Sequence, residues 1–192
     1  MRRSDKLSLP TDVTERTFEE IIDFEYDVFK QEFMDKDTRV RLNNTFIFID
    51  FNKWIDHKAE MFWHLISLSE NERFSVFPCE NNISDNICKM NCQTNKKSVT
   101  LKNGQVRNIC IYRACRIKWI TEIIKLANKN DKNIKIWEKD NKFHVRFQHQ
   151  DVDYVVIFSI NKGRYQLISA LPVFYIKKKR EFDKAYQEYI EK

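Results

Sequence analysis

The chain has 192 residues, 42% of them hydrophobic and 32% charged, which is enough for one folded domain with a real core and a short extension. Lys and Arg number 34 against 28 Asp and Glu, and the formal charge of +6 suits a polyanionic partner or an evenly charged soluble surface. Only two glycines occur, in neither a GxGxxG nor a GxxxxGK motif, which excludes the loops that cradle phosphate with backbone amides; no run reaches the ~18 apolar residues of a membrane span.

In chain order, the basic start MRRSDKLSLP has no apolar stretch behind it and does not read as a secretory signal. Five cysteines without such a signal point to reduced thiols in a cytoplasm. Phe18, Ile21, Ile22, Phe29 and Phe33 recur at helical spacing, and Thr17 with Glu20 fits a capping box, so Thr17 to Met34 is expected to be a helix. The apolar run around Phe46, Phe48 and Phe51 suits a strand, and residues 53–69 read as a second helix with Trp54, Lys58, Met61 and Leu65 on one stripe. Residues 69–105 are rich in Asn, Ser, Lys and Cys and read as a long loop or insertion, with a hairpin turning at Asn103-Gly104.

Beyond the loop, Ile117, Ile120, Ile124 and Ala127 give a helix over 117–128. Four strand-like runs follow at 134–138, 143–149, 153–160 and 164–175, with turn residues at Asp140-Asn141, Asp151 to Asp153 and Asn161 to Gly163. Joints this short connect antiparallel neighbours. The expected fold is therefore α+β, with helices on a four-stranded antiparallel meander and a C-terminal helix over 181–190. Residues 1–41 are expected to be a helical extension, and 42–192 one domain.

Several residue groups could carry chemistry. In the run 143–149, Phe143, Val145 and Phe147 point to one face and His144 and Arg146 to the other. An imidazole beside a guanidinium suits phosphodiester chemistry, although a solvent-facing sheet surface has the same pattern. Arg113, Arg116 and Lys118 lie close together, interleaved with Tyr112 and Trp119, as on a surface that binds phosphate and stacks bases; an ordinary solvated helix start reads the same way. His64, between Trp63 and Leu65, fits either a buried core histidine or a proton carrier. Ser169 reads by itself as a satisfied sheet hydroxyl, and the absence of GxSxG excludes a hydrolase nucleophile elbow. Cys79, Cys88, Cys92, Cys110 and Cys115 admit a structural zinc reading, but they lack paired CxxC knuckles, and buried thiols explain Cys110 and Cys115 equally well.

The segments FWHL (62–65), YRACRIKWITEII (112–124), DYVVIF (153–158) and RYQLISALPVFY (164–175) resemble the phage-associated branch of the barnase, EndoU, colicin and RelE-like ribonuclease superfamily. That resemblance implies a metal-independent endoribonuclease of toxin or phage-defence type. It would act by 2′-OH transesterification without a cofactor, with RNA as substrate and a cognate inhibitor protein as partner. It also implies His64 as general acid/base, Arg113 and Arg116 on the phosphate, and Ser169 in the hydroxyl position. Lys118, Trp119, His144 and Arg146 would extend the nucleic-acid contact. The competing expectation is a non-catalytic module for nucleic acid or protein on the same fold.

Overall fold

The computed structural model of the chain describes residues 3–13, 15–35, 37, 39–69, 97–161 and 163–192. Contacts divide it into two units: Leu9–Asp35 with Asp50–Lys118, and Arg2–Ser8 with Lys36–Ile49 and Trp119–Lys192. The segment expected as an extension is thereby shared between the two, residues 9–35 going to the first and residues 2–8 and 36–41 to the second.

In the first unit, α1 spans Phe18–Phe29 and continues as a π-helical turn over Lys30–Met34. Its start is the expected capping box. The Thr17 hydroxyl accepts from the Glu20 amide at 3.2 Å, and the Glu20 carboxylate accepts from the Thr17 amide at 2.7 Å. The apolar stripe of α1 buries Ile21, Ile22, Tyr26 and Phe29, and Tyr26 and Phe29 pack against Phe62 with ring centroids 5.0 and 5.6 Å apart.

The helix expected over 53–69 is a correction. Residues Trp54–Ile55 (β3) and Lys58–Ala59 (β4) form a hairpin, followed by α2 over Glu60–Ile66 and β5 over Ser67–Ser69. Asp56 and His57, at φ of 46° and 60°, make the tight turn, which matches the strand twist and breaks the helical path. β6 (Ser98–Thr100) and β7 (Val106–Ile109) turn through Gly104 at φ 83°, and β7 pairs antiparallel with both β5 and β6. The short α3, Ile111–Ala114, packs beside α2 and α1.

The second unit is built on a six-stranded sheet. β1 (Arg41–Leu42) and β2 (Thr45–Phe48) are followed after α4 (Trp119–Asn128) by β8 (Ile134–Lys139), β9 (Lys142–His149), β10 (Val152–Asn161) and β11 (Arg164–Pro172). The spatial order is β1-β2-β11-β10-β9-β8. β8 to β11 pair antiparallel in succession, but β2 joins β11 in parallel, with Ile47 beside Tyr165 and Phe48 beside Gln166. The fold class is α+β as expected. The sheet, however, is mixed and six-stranded, not a four-stranded antiparallel one, because an apolar strand from 45–48 completes its far side.

Strand alternation gives that sheet two apolar faces. α4 lies on β8 and β9, and Trp119 meets the Tyr154 ring edge-on at 5.8 Å. On the opposite face, Trp137, Val155 and Val173 pack against Phe182 and Ala185 of α5, Ile176–Ile190. This last helix starts five residues before the expected 181, since Lys177 to Arg180 propagate a helix well although they bury nothing. No helix among the described residues is long and apolar enough to cross a membrane.

Candidate functional site

His64, Arg113, Arg116 and Lys118 belong to the first unit, and Trp119, His144, Arg146 and Ser169 to the second.

In the first unit α2 carries His64. Its neighbours Phe62 and Trp63 are buried, and Trp63 Nε1 donates to the Ile55 carbonyl at 3.0 Å. His64 itself is half-buried. Three residues further on, where α2 gives way to β5, Ser67 gathers the polar contacts. Arg107 donates from Nε to Ser67 Oγ at 2.8 Å and from Nη2 to the Ser67 carbonyl at 2.9 Å. Arg113 Nη1 donates to that same carbonyl. Two guanidiniums thus converge on the end of the His64 helix, where the carbonyl ends of the helix dipole favour positive charge.

The arginines themselves are enclosed. Arg113 is 3% exposed and Arg116 1%. Arg116 lies 3.5 Å over the Tyr112 ring and donates from Nη1 to the Tyr112 carbonyl at 2.9 Å. Lys118, two residues on, is exposed. Near Arg116 stands Glu25, buried on the inner stripe of α1. Burial pushes its carboxyl up to about 7, against the pull of a Thr11 hydrogen bond and the charges of Arg16 and Arg116. Its Oε1 is buried without a hydrogen-bond partner.

The second unit encloses three of its four residues, Trp119, His144 and Arg146. His144 and Arg146 do share a face, but α5 covers that face, so neither is presented to solvent. His144 stacks on Trp137 at 4.7 Å with the rings 6° from parallel, and Phe182 closes over it at 6.0 Å. Burial holds its pKa below the ordinary histidine value, against backbone hydrogen bonds at Lys142 and Trp137, so it is neutral at physiological pH.

Arg146, fully buried, forms a bidentate pair with Asp153 at 2.7 Å on both branches and a third bond to Asp183 of α5 at 2.9 Å. Burial opposes its charge, but the two carboxylates outweigh that and keep it protonated. Trp119 is buried and donates its indole N–H to the Ser8 carbonyl at 2.9 Å. Ser169 is half-buried, opposite Ile157 beside a bulge in β10–β11.

Three residues that organise these sites were not singled out from the sequence: Arg107, Ser67 and Glu25. Glu25 had a signal, since it falls four residues after Ile21 on the apolar stripe of α1. Ser67 and Arg107 are ordinary polar residues in sequence, and only strand pairing brings them together. Cys110 and Cys115 are buried, while Cys79, Cys88 and Cys92 lie outside the described residues. Among the described residues no group of three or more His, Cys, Asp and Glu side chains is placed to hold a metal ion. No family model, curated protein or solved structure matches the chain.

Proposed function

We propose that the chain is a metal-independent endoribonuclease of toxin or phage-defence type, working on RNA in the cytoplasm and restrained by a cognate inhibitor protein. The observation that carries this reading is the convergence of Arg107 and Arg113 on Ser67, which ties the arginine-rich turn to the helix bearing His64. In this reading His64 takes the proton of a ribose 2′-OH. The freed oxygen attacks the adjacent phosphorus, the P–O5′ bond breaks, and the departing 5′-oxygen takes up a proton. The products carry a 2′,3′-cyclic phosphate and a 5′-hydroxyl.

Burial changes the part assigned to the arginines. Arg113 and Arg116 are enclosed, so they serve as positioning residues and as a fixed positive field that strengthens where water is excluded. Exposed Lys118 is the cation that meets phosphate directly. Ser169 belongs to the second unit and takes no part in this reading.

A second reading, a non-catalytic module for nucleic acid or protein, draws on that same burial of Arg113 and Arg116. One comparison separates the two. Wild-type protein and the His64→Ala variant are incubated with a broad RNA panel in excess EDTA. The nuclease reading expects cleavage by wild type and a loss on the order of 100-fold or more in the variant, with thermal unfolding unchanged. Equal processing of RNA by both proteins contradicts it, and so does RNA left intact by the folded wild type.

A further inference from the structure

The second unit's sheet carries two large exposed aromatic side chains on β2, on the face that α5 covers at the β8 end. Phe46 is 53% and Phe48 48% exposed, while Ile47 between them is buried. Strand alternation therefore puts both rings on one face. Pairing extends that face across the sheet: Phe48 lies beside Gln166, Gln166 opposite Ser159, and Ser159 opposite Lys142. Phe48, Gln166, Ser159 and Lys142 thus form one row over four strands, about 14 Å across at the usual strand spacing. Arg164, two residues before Gln166, points to the same face.

Cations surround the rings. The Arg41 guanidinium lies 4.0 Å over the Phe46 ring. Arg39 donates from Nη2 to the Ile47 carbonyl at 3.1 Å, and its Nε is buried without a hydrogen-bond partner. Arg39, Arg164, Thr45 and the residues 46–48 line a shallow pocket whose lining contains no carboxylate.

A ligand matching this surface must offer flat apolar faces and negative charge together. Single-stranded nucleic acid does so, because its bases stack on aromatic rings while its phosphates meet guanidinium groups. A duplex hides its base faces. An acidic peptide would satisfy the arginines and leave the rings bare. A second copy would set arginine against arginine in a symmetric contact.

We propose that the sheet face centred on Phe46 and Phe48 binds single-stranded RNA, with bases stacked on the two rings and phosphates held by Arg39, Arg41 and Arg164. This site goes beyond the cleavage reading and stands without it, since none of these residues takes part in that reading.

The test is fluorescence anisotropy on the full chain with a labelled 2′-O-methyl RNA 12-mer, which has no free 2′-OH for transesterification to use. Wild type is expected to bind the single strand and to bind its duplex at least tenfold more weakly. Phe46→Ala/Phe48→Ala should weaken single-strand binding by about 30-fold or more, the lower end of losing two stacked bases. Phe46→Leu/Phe48→Leu keeps the apolar bulk and should also lose most of the affinity. Arg164→Gln should reduce the slope of log affinity against log salt by about 0.7. Both rings are exposed, so thermal unfolding of the variants checks that the fold is kept. No binding by wild type, affinity within twofold of wild type in either double variant, equal binding of duplex, or a change of oligomeric state in the double variants would each overturn the proposal. A failure of RNA cleavage leaves this result untouched, and a failure of binding leaves the His64 comparison untouched.

Discussion

Glu25 stands where an apolar residue would complete the stripe of α1, and its carboxyl is raised to about 7. An unfolded glutamate titrates near 4.5, so between about 4.5 and 7 the folded state binds the proton more tightly. Stability contributed by this group is present at low pH, falls as pH rises through that window, and is level above it. Glu25→Gln should remove this slope and leave the chain more stable than wild type at pH 8 by on the order of 3 kcal/mol. Urea unfolding at pH 5 and pH 8 checks it, and a slope retained in the variant counts against the assignment.

Arg146 is the opposite case, a buried charge fully matched by carboxylates. Arg146→Ala strands Asp153 and should cost about 3–5 kcal/mol. Asp183→Asn, at a carboxylate 41% exposed, should cost under about 1 kcal/mol. Urea unfolding of both variants measures the difference, and equal losses would show that the Asp153 pair is not the dominant partner.

At the scale of elements, turns set much of what strand and helix patterns leave open. Among the described residues, eight positions other than glycine have positive φ, and all but two of them are Asn or Asp. Short polar side chains tolerate that region, which is how a chain with two glycines still makes its tight turns. His57, at φ 60°, is the less suited partner in the β3–β4 turn. His57→Gly should stabilise the first unit by about 0.5–1 kcal/mol in thermal or urea unfolding, and a loss of stability would mean the imidazole has a role beyond the turn.

The strands from 134 to 172 were legible because they are short apolar-rich runs, alternating cleanly along 143–149, and their joints carry turn residues. The 54–59 hairpin was not, because Trp54, Lys58, Met61 and Leu65 also fit a helical stripe. The cover over His144 and Arg146 was hidden for a different reason. α5 runs from Ile176 through four charged residues, and Asp183, which binds Arg146, is separated from it by 37 positions in sequence. In the first unit the arginine-rich turn was visible as a cluster, but its attachment to the His64 helix runs through Ser67. That contact is made by β5 pairing with β7 and has no local pattern to announce it.

For the whole molecule, the excess of six positive charges resolves into surfaces with different parts to play. Arg113, Arg116 and Arg146 are spent inside, on carbonyls, a ring and carboxylates. The arginines around Phe46 and exposed Lys118 remain at the surface. The scarcity of glycine fits the same account, since side chains carry the positive charge and no backbone loop is needed to receive phosphate. His64 as the proton carrier is the central assignment of the proposed cleavage. Its most direct test is the mapping of RNA termini after incubation with wild type and with His64→Ala in excess EDTA. Wild type is expected to leave 2′,3′-cyclic phosphate and 5′-hydroxyl ends that the variant does not produce. Fragments ending in 5′-phosphate, or the same ends in equal yield from the variant, would contradict it.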